Sequence, residues 1–313
     1  MKNPNSIFDV MPTFPKFTKF SIALKDDYNK FYAQFPPYSD FSFGNLIIWL
    51  NQFRDLEISN LNGNIVYRFT NLFMDEQPMI SLLGNTKIDQ TLKDLLEYQI
   101  SIGHPPEISM VPETIKTKVQ DIKGLKISEE HGNANYILDT EKLTILPGTH
   151  YGKLRRQYSR FTREYCGRYE IKTLDIRDNR NACELVNGIH AWDRLYTKND
   201  QERHESRAIN TSLQHAKHLE MSNISVYIDG KLEAIALYQI LPQHSYVIGN
   251  HTKANLGFKY LFNFTVLSMA KHLHEEGYPY INYEQDLDIP GLKEQKMGLR
   301  PINFLKHYKI EIN

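Results

Sequence analysis

Cysteine is nearly absent: the 313 residues contain two, Cys166 and Cys183. Neither stands in a pair with metal-ligand spacing, and two cysteines make no disulfide framework. A reducing cytoplasm is the expected compartment. Cys166 has no His/Asn signature about it that would mark a nucleophile. Long apolar runs are missing too. The stretch around Leu46 to Leu50 falls far short of the roughly 20 residues a membrane helix needs. The opening MKNPNSIFDVMPTFPKF has no apolar stretch of signal-peptide length. No integral membrane segment is expected, so a lipid acceptor would be met from the water side. Net charge is also lacking, with 37 Lys+Arg against 37 Asp+Glu. That excludes a uniformly basic coat for indiscriminate nucleic-acid binding and leaves room for a local basic groove. No segment is low-complexity.

What remains is an ordinary globular composition, 41% apolar and 24% charged. The length suits about two domains with a substantial core. In the first half, Ser39 and Asp40 after a Pro pair supply a helix start, and Phe43, Leu46, Ile47 and Leu50 recur at helical spacing. Leu61-Asn62-Gly63-Asn64 predicts a hairpin turn between two short strands, with QPMISLLG as a further strand. Residues 87–101 have helical period, ISMVP is strand-like, and PETIKTKVQDI reads as a helix with Pro112 in its first turn.

NANYILDTEKLTIL then reads as a strand, followed by a long polar helix from about Gly148 to Tyr165. Residues 168–175 read as a strand, and 179–197 and 203–219 as helices. Three strands follow, ISVYIDG, KLEAIALYQIL and SYVIGNH, with Asp229-Gly230 as the strongest hairpin signal. A helix over 257–276, a short strand YINYE, a helix over 288–297 and a terminal strand near FLKHYKIEI complete the chain. This order is that of an acetyltransferase-type fold, and the first half is a looser echo of it. The expected class is α/β (α+β): two tandem acetyltransferase-like (GNAT-like) lobes, 1–146 and 147–313, with mostly antiparallel sheets flanked by helices.

Three segments carry a resemblance: YSDFSFGNLIIW, NYILDTEKLTILPGTHYGKLRRQYSRFTREY and INYEQDLDIPGLKEQKMGLRPINFLKHY. They resemble the signatures of the phosphatidylglycerol lysyltransferase C-terminal-domain family, and the likeness spans about Leu24 to Tyr308. The last segment is the most specific: an Asn-x-Glu-x-Asp run, then Gly-Leu, two basic residues and a Pro. The resemblance implies transfer of an aminoacyl group from a charged tRNA to an amine or hydroxyl acceptor. Departures fall at Leu154, Arg155 and Arg156, where relatives tend to Lys-Arg-Asn. Others fall at Asn250 and Thr252, where a His and an acid are frequent, and at Asp288, Lys293 and Gly298.

Lys153, Arg155, Arg156, Arg160 and Arg163 crowd one helix, with Arg156, Arg160 and Arg163 on one face. Phosphates of an RNA acceptor stem or a nucleotide would compensate such a stripe through fork-shaped contacts. The competing reading is a solvated face with Glu164 as counter-charge. Glu284, Asp286 and Asp288 alternate at the end of a predicted strand, and Lys293 and Lys296 follow. A carboxylate there can take a proton from an attacking amine while a lysine stabilises the oxyanion. Glu284 and Asp286 are the candidates for base, Lys293 or Lys296 for electrophile. The competing reading is an ion-pair cluster fixing the last helix.

Asn250, His251 and Lys253 lie before a helix N-terminus, where an acyl donor's phosphates would sit, and Asn263 faces the same cleft. ANLGFK has a single Gly, so the Gly-rich loop of an acyl-coenzyme A site is lacking. His215 and His218 are three apart, but no Cys or carboxylate completes a metal set. Trp49 and Trp192 read as core. The expected activity is an aminoacyltransferase with no permanently bound cofactor. Aminoacyl-tRNA is its co-substrate, and the acceptor is a small molecule, a peptide or a lipid headgroup. The alternatives are an acyltransferase using acetyl-CoA or acyl-CoA, or a non-catalytic binding module.

Overall fold

The computed structural model describes residues 6–49, 56–70, 78–196, 200–241 and 245–313. In chain order the first part forms β1 (Thr18–Lys19), α1 (Lys25–Tyr32), α2 (Phe43–Ile48), β2 (Glu57–Leu61), β3 (Asn64–Thr70) and β4 (Pro78–Leu83). It continues with α3 (Ile88–Ser101), β5 (Glu107–Pro112), α4 (Glu113–Val119) and β6 (Leu125–Glu129). There follow β7 (Asn135–Asp139), α5 (Thr140–Ile145), α6 (Gly152–Glu164), β8 (Tyr169–Lys172), α7 (Asn179–Tyr196), α8 (Asp200–Gln214) and α9 (Ala216–Leu219). The chain ends with β9 (Met221–Ile228), β10 (Lys231–Leu241), β11 (Tyr246–Ala254), α10 (Leu261–Glu275), β12 (Tyr280–Asn282), α11 (Pro290–Gly298), β13 (Asn303–Leu305) and β14 (His307–Ile312). Among the described residues no helix is long and apolar enough to cross a membrane.

Local chemistry explains many of these elements. Asn62-Gly63 and Asp229-Gly230 all have positive φ (56°, 79°, 51°, 75°). That is the two-residue turn whose twist matches paired antiparallel strands. In α3 the buried apolar side chains are Ile88, Leu92, Leu95 and Leu96, on one helical face. The helix expected from Phe43 is α2, capped by Ser42, whose Oγ accepts from Asn45 N–H at 3.2 Å. Its expected continuation to Phe53 lies outside the described residues. The strand expected over 133–146 ends at Asp139, because Asp139 Oδ1 accepts from Lys142 N–H (2.9 Å) and caps α5. Pro112 is not in the first turn of α4 but is its cap, with extended ψ of 146°.

Two compact units share the chain. The first comprises 1–135, 285–289 and 305–313, the second 136–284 and 290–304. They part along the chain at 135/136, 284/285, 289/290 and 304/305 rather than once at 146/147. The first unit holds a sheet of order β1-β2-β3-β4 and another of order β5-β14-β6. Its core gathers Val66, Leu82, Leu92, Leu95, Val111, Ile115 and Ile310. The Asp40 side chain, 6% exposed, accepts there from Asn135 Nδ2 (2.9 Å) and Gln285 Nε2 (2.7 Å). His307 Nε2 lies 3.5 Å from the same carboxylate.

The second unit holds the sheet β13-β7-β12-β11-β10-β9-β8. β8 to β11 are antiparallel neighbours, and β12 runs parallel to β11 after the α10 crossover. Meander, helix, strand, helix, strand is the acetyltransferase order, and the first unit repeats it from β2 to β6. The segment read as one terminal strand is two, β13 and β14, in different sheets. The fold class is the expected one: mixed α/β, mostly antiparallel, flanked by helices.

Candidate active site at the parting of β11 and β12

In the second unit, Leu237 on β10 faces His251, whereas Gln239 faces Ile248. Gly249 and Asn250 therefore oppose Tyr238 alone, a β-bulge of the kind found beside active sites. At the same level β12 leaves β11. Their parallel pairing covers Tyr246↔Tyr280, Val247↔Ile281 and Ile248↔Asn282 and goes no further. On its other side β12 stays bonded to β7, with Tyr283 N–H on Tyr136 O (2.8 Å) and Tyr136 N–H on Glu284 O (3.0 Å).

Glu284 then turns the chain with φ of 55°. The strand alternation expected to put Glu284, Asp286 and Asp288 on one face does not persist. Leu287 and Asp288 also have positive φ (53° and 55°). Asp286 and Asp288 belong to the first unit. There Asp286 is buried, and its Oδ1 accepts from Asp288 N–H at 2.8 Å.

Around the bulge the second unit collects several expected residues. Asn250 is buried and its Nδ2 donates to Glu284 Oε1 at 3.4 Å, while Glu284 itself is half-buried. Glu284 N–H donates to Asn282 Oδ1 (2.9 Å), which fixes the turn. Lys296 is buried, donates to the carbonyl of Tyr283, and places its ammonium 5.1 Å from the Tyr283 ring and 5.9 Å from that of Tyr136. Lys293, on the same helix, is exposed. Asn250, Glu284 and Lys296 thus converge on the end of β12.

Two other candidates point to the opposite face of β11. Lys253 is paired with Glu205 of α8 at 2.5 Å. His251 is fully buried beside Ser212 Oγ (3.4 Å), and burial, then the Lys253 charge, pushes its pKa down to about 3. Sequence reasoning missed Tyr283, whose hydroxyl donates to Thr252 Oγ1 at 3.0 Å. Its signal was its place inside the Asn-x-Glu motif.

The basic helix α6 lies against α10. Leu154 and Phe161 are buried, and Tyr158 stacks on Phe264 with ring centroids 5.3 Å apart. Asn263, expected to face the cleft, instead donates to Gln157 Oε1 on α6 at 2.8 Å. Arg155 donates to the carbonyls of Leu146 and Gly148 (2.6 Å to the latter), satisfying the end of α5. Lys153, Arg156, Arg160 and Arg163 are exposed. Among the described residues none of them has a carboxylate within ion-pair distance, Glu164 included. Two open cavities of about 380 and 690 Å3 are lined by none of the expected residues.

Chemically, the end of β12 offers a carboxylate oriented by an amide, with a buried ammonium on the carbonyl of the preceding residue. A family model described as phosphatidylglycerol lysyltransferase, C-terminal, matches residues 32–311. No curated protein matches the sequence. A conserved protein of unknown function from Bacteroides thetaiotaomicron VPI-5482 has a similar structure, with TM-score 0.83 and 22% identity over 95% of this chain and 99% of that one. The C-terminal domain of a putative lysylphosphatidylglycerol synthetase from Agrobacterium fabrum superposes with TM-score 0.59 and 14% identity, covering 84% and 86%. L-PGS from Bacillus licheniformis gives 0.55 and 15%, with the same coverage. At these identities the likeness is one of fold.

Proposed function

This chain belongs to the phosphatidylglycerol lysyltransferase C-terminal family, and from that premise we propose that it is an aminoacyltransferase. It moves an aminoacyl group from a charged tRNA to an amine or hydroxyl acceptor. The observation that carries this reading is Glu284, held half-buried against Asn250 where the pairing of β11 and β12 ends. An acyl transfer from an ester needs a proton acceptor, charge stabilisation and positioning.

The acceptor nitrogen or oxygen attacks the ester carbonyl carbon while its proton passes to the Glu284 carboxylate. The tetrahedral oxyanion collapses, the carbon–oxygen bond to the ribose breaks, and the ribose hydroxyl leaves with the proton that Glu284 held. Asn250 orients the carboxylate. Lys296 fixes the Tyr283 carbonyl and with it the turn that presents Glu284, and Lys293 offers a mobile ammonium from the same helix. Asp286 takes no step. The exposed cations of α6 meet the RNA phosphates.

The test incubates purified protein with a labelled charged-tRNA pool and extracts of lipids, peptides and small amines. Ribonuclease-sensitive transfer of label is expected. Glu284→Gln should slow it by roughly 100- to 10,000-fold, the range for loss of a general base, with the melting midpoint unchanged. A wild-type protein that binds no tRNA at low salt would sink the reading.

A further inference from the structure

We propose that the outer edge of β8 is a self-recognition surface, which pairs antiparallel with β8 of a second copy of this chain about a two-fold axis at Ile171. The proposal is independent of the transferase reading and uses residues of the second unit alone.

β8 ends the seven-stranded sheet and, among the described residues, pairs with β9 alone. One bond tells which of its backbone groups face outward. Asp229 N–H donates to Arg168 O at 2.9 Å, so these two residues form a hydrogen-bonded pair. Such pairs alternate along an antiparallel ladder, and the register Glu170↔Tyr227, Lys172↔Ser225 continues without a shift. Arg168, Glu170 and Lys172 therefore turn their backbone groups toward β9, and Tyr169, Ile171 and Thr173 turn theirs outward. The strand carries neither a proline nor a bulge, two of the usual guards against edge pairing. Glu170, Ile171 and Lys172 are exposed. The two open cavities border the strand at its ends, one lined by residues 167–170 and the other by 173–177.

What this edge offers is complementary to itself. Ile171 is 43% exposed, although Val226, directly opposite on β9, is fully buried in the same layer. Glu170 and Lys172 lie on the other face, 2.8 Å apart, with the ammonium 4.6 Å from the Tyr227 ring. In a pair centred on Ile171 the two isoleucines exchange backbone bonds and cover each other. Glu170 then stands opposite Lys172 of the second copy, and Lys172 opposite its Glu170. These flanking positions are non-hydrogen-bonded pairs, with Cα atoms about 4.5 Å apart and the side chains at their closest. Shifting the register by two residues sets Glu170, or in the other direction Lys172, against its own copy, and like charges directly opposite destabilise a sheet. A lysine alone would repel strands in general. An acid and a base flanking an isoleucine favour a partner that carries the same triplet reversed, which in an antiparallel pair is this strand itself.

The experiment is sedimentation equilibrium of the full chain. The wild type should show a concentration-dependent monomer–dimer equilibrium. Glu170→Lys and Lys172→Glu should each weaken the dimer at least tenfold, and an equimolar mixture of the two should recover it, since each supplies the sign that the other then needs at both positions. A wild type that stays monomeric up to about 0.1 mM overturns the proposal. So do folded single variants that dimerise as the wild type does, or a mixture that recovers nothing. A second measurement reads the register directly, in a background where the exposed Cys166 and Cys183 are replaced by serine. Ile171→Cys should link into dimers on mild oxidation, because directly opposed Cα atoms about 5.5 Å apart suit a disulfide. Thr173→Cys, which meets Tyr169 of the second copy, should not. Equal linking at the two positions overturns the pairing.

Discussion

His251 shows what burial does to a single titratable group. Its pKa falls to about 3 because no solvent reaches the ring and the Lys253 charge opposes a second one nearby. In the unfolded chain the same imidazole titrates near 6.5. Between these values the unfolded state binds more protons, so stability is complete at neutral pH and is lost as pH falls below about 6.5. His307, lowered chiefly by burial and held up in part by Asp40, acts in the same sense. Urea denaturation between pH 8 and 5 should therefore show stability falling by up to about 1.4 kcal/mol per pH unit for each such histidine. His251→Asn should remove one proton's worth of that slope, and an unchanged slope would refute the assignment. Gly249 makes a second residue-scale prediction. Gly249→Ala pushes a methyl into the Tyr283 ring, and the overpacking should cost about 1–3 kcal/mol, read as a lower urea midpoint at constant m-value.

The basic helix α6 is where sequence and structure agree most and differ most instructively. Its period is visible in the sequence: Lys153, Arg156, Arg160 and Arg163 form the exposed face, while Leu154 and Phe161 form the buried one. Arg155 was read as part of the same phosphate-binding set, yet it holds carbonyls nine and seven residues earlier. That contact depends on the path of the 146–148 loop, which no periodicity reports. If the exposed stripe meets RNA, Arg156→Glu with Arg160→Glu should weaken tRNA binding and flatten its dependence on salt. Arg155→Ala should instead lower stability with little change in that dependence. Filter binding across a salt series, beside thermal melts, separates the two.

The hairpins at Asn62-Gly63 and Asp229-Gly230 were legible for the opposite reason, since a two-residue turn is decided by its own φ preferences. The Glu284–Asp288 alternation was misread because β12 ends at Asn282. Its end is set by pairing with β7 and β11, and the carboxylates beyond it answer to different units.

At the scale of the molecule, each unit draws a strand from a distant part of the chain. β14 lies between β5 and β6, and β7 lies between β12 and β13. Sequence could not show this, because a strand of six residues such as HYKIEI carries its own alternation but not the address of its partners. Removal of residues 307–313 should leave β5 and β6 without their shared neighbour and abolish the cooperative unfolding of the first unit, with exposed apolar surface detectable by dye binding. A truncated chain that melts as sharply as the whole protein would count against this account. Refolding of the intact protein should be slow, since pairings of this separation close large loops before they gain contacts.

The interleaving also sets a timetable for birth. A ribosome finishes β6 at residue 129 and does not begin β14 until residue 307. At roughly 5–20 residues per second the nascent first unit waits on the order of ten to thirty-five seconds with two unpaired edges. Through that interval a holding chaperone would shield Ile108, Val111 and their neighbours.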